Sequence, residues 1–137
     1  MRRSVICVES QFRGNQLGFD PATPATAEAR LLAIFDVLGE WFGREDYEGC
    51  LFVNSLLESR DRTDAIGAAA VTALANVRAF VRRLLEEAGV RDPDGLALQW
   101  QTLMLGSIVA ASAGERKAAQ SARDAASRLL APELPAH

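Results

Sequence analysis

Between Ala25 and Asp92 the chain contains no proline; its five prolines stand at positions 21, 24, 93, 132 and 135. A proline inside a helix removes a hydrogen bond and clashes with the preceding turn, a penalty of about 3 kcal/mol. A long proline-free middle with apolar residues at helical spacing therefore reads as a run of helices. The flanking prolines mark where helices start and stop.

Thr23 followed by Pro24 has the form of a helix start, a capping hydroxyl before a residue with a preset φ. Leu31, Phe35, Leu38 and Phe42 then recur on one helical face, widened by Ile34 and Trp41, and Gly43 supplies a C-cap. The segment 49–58 is apolar almost all round, which suits an internal helix; a buried strand is the alternative, given Phe52 and Val53. The longest helix is expected from Asp61 or Thr63 to about Ala88, with a stripe of Ile66, Ala70, Ala73, Val77, Val81 and Leu84, ended by Gly89. Asp92-Pro93 repeats the cap-plus-proline start.

The helix that follows is apolar on two faces, Leu96, Trp100, Leu103, Met104 and Ile108 on one and Leu98, Leu105 and Val109 on the other. One face suits the core of the domain; the other calls for separate cover, such as a partner chain. Gly114 breaks this helix, and the last one is expected from about Glu115 to Leu130 with a stripe of small residues. The expected fold is all-α, an antiparallel helical bundle of about five main helices over residues 23–131. Residues 1–22 are expected to form an N-terminal arm or partial helix, and 132–137 a short tail.

Composition narrows the chemistry. The chain has 137 residues, 49% hydrophobic and 24% charged, enough apolar mass for one domain with its own core. Its single histidine, His137, is the last residue, so a Ser-His-Asp or Cys-His site and a paired Glu-x-x-His metal site lack their imidazoles. Two distant cysteines, Cys7 and Cys50, argue against a disulfide framework or a zinc site. No metal and no cofactor is expected. A net charge of −3 gives no electrostatic footprint for nucleic acid. No signal peptide is visible and no stretch approaches a membrane span, so a cytoplasmic protein with no membrane contact is expected.

Two local clusters have functional and bland readings. Cys50 reads as a redox sensor or as a buried packing thiol, the latter being the usual state of a free cysteine. Asp36 and Glu40 stand one helical turn apart like an acid/base pair, but a solvated helix face accounts for them too.

Beyond these general patterns, Glu40-Trp41-Phe42, a short acidic loop and then Tyr47-Glu48-Gly49-Cys50-Leu51-Phe52-Val53-Asn54 resembles the TetR/AcrR family of bacterial transcription regulators. The match is to the family's regulatory domain and covers about residues 24–131. The order of later elements agrees: a long helix with Arg82-Arg83-Leu84-Leu85, Gly89 with Asp92-Pro93, an apolar helix with Gly106-Ser107-Ile108-Val109, and a short alanine-rich helix. Family members begin with a three-helix DNA-binding head, which residues 1–22 cannot hold. The resemblance therefore implies a ligand-binding and dimerisation domain that does not itself touch nucleic acid.

The same resemblance implies a small-molecule effector, largely apolar, held between helices. Candidate residues for its site are Phe35, Leu38, Phe42, Phe52, Leu56, Val77, Phe80, Trp100 and Met104, with Asn54, Asn76, Gln101 or Ser107 as polar handles. Simple core filling is the competing reading of each aromatic. The implied homodimer is built on the last two helices, with Leu105, Val109, Ala122, Ala125, Ala126 and Leu129 as candidate interface residues. Two alternatives stand beside the regulatory domain: an interaction protein that pairs with a full-length regulator, and a small all-α enzyme.

Overall fold

The computed structural model describes residues 26–45, 47 and 65–135. They form four α-helices: α1 (Ala27–Phe42), α2 (Ala65–Ala88), α3 (Pro93–Ser112) and α4 (Ala118–Leu130), closed by a 3-10 turn over Ala131–Glu133. No strand occurs among the described residues. The expected helix over 49–58 lies outside them, as do the arm at 1–22, Cys50 and the Thr23-Pro24 pair.

The caps explain the boundaries. The α1 cap is Thr26, whose hydroxyl accepts from the Ala29 amide at 3.2 Å, three residues beyond the predicted Thr23. Asp92 caps α3 as expected, its carboxylate accepting from the Gly95 amide at 3.0 Å with Pro93 in the first turn. Two helices end alike. The Val90 amide reaches back to the Leu85 carbonyl and the Gly89 amide to Glu86, while Glu115 reaches Ala110 and Gly114 reaches Ala111. This double closure needs a left-handed residue, and Gly89 (φ 80°) and Gly114 (φ 97°) supply it. The second closure uses up residues 113–115. Glu115 also accepts from the Lys117 amide, so α4 starts at Ala118, later than the predicted Glu115.

The bundle is antiparallel. Short turns fold α2 back on α3 and α3 back on α4. Gly39 faces Ala119 and Asp36 pairs with Arg123, so α1 and α4 also run in opposite directions. Leu31, Ile34, Phe35 and Leu38 of α1 meet Val81, Leu84 and Leu85 of α2, Trp100 and Met104 of α3, and Ala122, Ala126 and Leu130 of α4 in one buried cluster.

The longest helix keeps its predicted stripe from Ala70 through Ala73, Val77, Val81 and Leu84, buried or partly buried, and departs from it only at Ile66. Its first half buries Gly67 and Ala70 and leaves Ile66 66% exposed and Val71 45% exposed. An alanine-rich turn is apolar on every side, so periodicity there does not select a face. By length and composition α2 is also apolar enough to cross a membrane, which corrects the expectation that no stretch is. Its second half nonetheless carries Arg78, Arg82, Arg83, Glu86 and Glu87 and turns Val81, Leu84 and Leu85 into the core.

Candidate functional site

The described candidate cavity residues converge. Phe35, Leu38, Trp100 and Met104 lie in the buried cluster, and Phe42, Val77 and Phe80 pack partly buried against it. Phe35 and Trp100 meet as tilted rings with centroids 5.6 Å apart. The Trp100 indole N–H donates to the Leu31 carbonyl at 3.3 Å, satisfying the polar edge of a side chain with no exposed surface. Phe52, Asn54 and Leu56 lie outside the described residues.

The polar handles divide. Asn76 is exposed on α2. Gln101 and Ser107 are buried on α3. The Gln101 side-chain amide donates to the Leu74 carbonyl of α2 at 2.7 Å, and the Ser107 hydroxyl donates to the Met104 carbonyl of its own helix at 2.7 Å.

A second aromatic group stands at the end of α1. Tyr47 packs edge-on against Trp41 with centroids 4.9 Å apart and lies 5.2 Å from the ring of Phe42. Its hydroxyl donates to the Ile108 carbonyl at 2.9 Å and lies 3.0 Å from the Ser112 hydroxyl. Tyr47 therefore ties the segment after α1 to the last turn of α3. Periodicity gives no sign of this, because Tyr47 belongs to no helix. Its place in the Trp41-Phe42 to Gly49-Cys50 motif was the available signal.

Two open grooves flank the cluster. One, of about 400 Å³, lies between α2 and α3 and is lined by Ala75, Arg78, Ala79, Arg82, Asp94, Ala97 and Leu98. Arg82 donates to Asp94 and to Glu86 across its wall; the Asp94 hydrogen bond and charge, then the charge of Glu86, hold its guanidinium above the ordinary arginine value. The other, of about 450 Å³, is lined by Gly39, Phe42 and Gly43 of the α1 end and by Ala111, Gly114, Glu115 and Arg116. No group of three or more metal-ligating side chains occurs among the described residues.

The candidate interface residues separate by burial. Val109 is 54% exposed, and Leu105, Ala125 and Leu129 are partly buried. Ala122 and Ala126, expected at a partner interface, are instead covered within the subunit, at 7% and 0% exposure. The α4 stripe turns inward because small side chains let α4 lie close to α1, where a Cβ on Gly39 would stand 3.3 Å from that of Ala119.

These features define an all-α helical domain with a dense aromatic interior, two buried polar side chains on one helix and an uncovered apolar face on that same helix. Residues 27–126 match the family of tetracyclin repressor-like C-terminal domains, and the chain belongs to that family. Neither the curated proteins nor the solved structures compared with the chain gave a match.

Proposed function

We propose that this chain is the effector-binding and dimerisation domain of a TetR-like transcriptional regulator. It takes a small, largely apolar ligand beside the α1–α2–α3 cluster and pairs with a second copy of itself. The role is regulatory rather than catalytic, in keeping with the family.

One observation carries the reading: the two-sided character of α3. Its inner face, with Trp100, Met104 and Ile108, is buried in the subunit. Its outer face carries Leu98, Thr102, Leu105 and Val109 at successive turns, with Leu98 51% and Val109 54% exposed. A repeated aliphatic stripe on the outside of a soluble bundle is a surface that gains by being covered. A second copy covers it through an isologous contact in which α3 meets α3, with Ala125 and Leu129 of α4 at the margin.

Native mass spectrometry tests both halves of the proposal. A mass near twice 14.8 kDa supports the dimer, and a small molecule lost on denaturation supports the effector site. The variant Val109→Glu is expected to give a monomer with unchanged helical circular dichroism. A persistent dimer in that variant moves the interface elsewhere.

A further inference from the structure

We propose that residues 131–135 are a clasp over one end of the bundle, and that the clasp and the α2–α3 turn open and close together as one unit while the rest of the domain stays folded.

The placement follows from the helix packing. α2 lies against α1 and α3, and α4 lies against the same two helices. Residues 131–135 leave the end of α4 and reach the turn that follows α2, so they bridge the two helices that stand diagonally across the bundle.

Four contacts make the bridge. The Arg91 guanidinium, in the turn, donates to the Pro132 carbonyl at 3.3 Å and pairs with the Glu133 carboxylate at 3.7 Å. Leu134 packs, partly buried, against the core cluster. The Pro135 ring sits over Gly89, where a Cβ would stand 2.9 Å from the ring Cγ. Gly89 thus serves twice: its φ of 80° closes α2, and its bare Cα gives the proline ring a seat.

The hold is weak enough to release. The Arg91 side chain is mostly exposed, and exposed ion pairs contribute little in water. Pro135 is exposed as well. An open groove of about 290 Å³ is lined by Pro132 and Glu133 on one side and by Gly95 and Gln99 of α3 on the other. Segments with few buried contacts open ahead of the global transition. Val90, buried between Gly89 and Arg91 in the turn, is the apolar side chain that such an opening uncovers.

The test is native-state amide hydrogen exchange on the full chain. The reporters are the Gly89 and Val90 amides, bonded to Glu86 and Leu85, and the Leu134 amide, bonded to Ala131. Their protection is expected to converge on one value, at least about tenfold below that of Phe35 and Trp100 in the core. In the double variant Leu134→Ala, Pro135→Gly the Val90 amide is expected to exchange at least about tenfold faster, although its own hydrogen bond is untouched. Coupling is reciprocal, so Arg91→Ala is expected to speed the Leu134 amide; this surface change keeps the test readable if the double variant folds poorly. A Leu134 amide without protection while Val90 is protected, or a Val90 amide indifferent to the double variant, overturns the clasp. Turn and clasp amides that exchange only together with Phe35 and Trp100 overturn the separate opening.

Discussion

The indole of Trp100 donates to the Leu31 carbonyl, joining α3 to α1 at a point where neither residue has any exposed surface. The contact does two jobs. It satisfies the one polar atom of the largest core side chain, and it sets the height at which Phe35 meets the Trp100 ring. Trp100→Phe keeps a ring but removes the donor and leaves space. A loss of roughly 1–3 kcal/mol is expected, read as a lower urea midpoint with an unchanged slope. A change of less than about 0.5 kcal/mol, the range of ordinary surface substitutions, counts against this packing.

Tyr47 makes a second cross-link, to Ile108 and Ser112. Tyr47→Phe removes the hydroxyl and leaves the ring beside Trp41 and Phe42. The expected loss is about 1 kcal/mol, the net value of a typical hydrogen bond. Near-ultraviolet circular dichroism is expected to keep the aromatic signature in that variant. Tyr47→Ala is expected to lose it.

The approach of α1 to α4 depends on Gly39. A Cβ there stands 3.3 Å from the Cβ of Ala119, so a larger side chain pushes the helices apart. Gly39→Leu is expected to destabilise by about 1–3 kcal/mol through overpacking. Ala119→Gly in the same chain is expected to restore part of that loss. A double-mutant cycle with zero coupling contradicts the contact.

At the start of α3 the cap and a glycine depend on each other. A Cβ on Gly95 would fall 2.3 Å from the Asp92 carboxylate, so alanine there displaces the capping group. Asp92→Ala alone is expected to cost about 1 kcal/mol. Gly95→Ala alone is expected to be near neutral, its gain in helix propensity cancelled by the lost cap. Once Asp92 is already alanine, Gly95→Ala is expected to stabilise by roughly 0.5–1 kcal/mol. That change with background, measured by thermal or urea unfolding, is the diagnostic.

The helical class and the ends of α2 and α3 were legible because their signals are local. Asp92-Pro93, Gly89 and Gly114 act through the backbone of their own turns, which needs no tertiary context. The aromatic cluster was legible because large side chains at helical spacing have one place to go. Alanine was the difficulty. Ala118, Ala122 and Ala126 read as a small-residue stripe suited to close packing, and they are buried, but within the same chain. A stripe of alanines specifies proximity and leaves the partner open. Tyr47 was hidden for another reason: its hydrogen bonds span more than sixty residues of sequence.

That distinction gives the sharpest test of the interface. Ala125 and Ala126 are neighbours in sequence and differ in surroundings, Ala126 fully buried in the subunit and Ala125 partly open. A glutamate at 126 places an unpaired charge inside the bundle. Ala126→Glu is therefore expected to unfold the domain or cost at least about 3 kcal/mol. Ala125→Glu places the charge at the margin of the proposed contact between copies. It is expected to leave the helical circular dichroism of the subunit intact while weakening the dimer, seen by sedimentation velocity as a shift toward monomer with dilution. Combined with Val109→Glu, it is expected to give a folded monomer at every concentration tested. If Ala125→Glu and Val109→Glu both leave the dimer intact, the outer face of α3 is not where two copies meet.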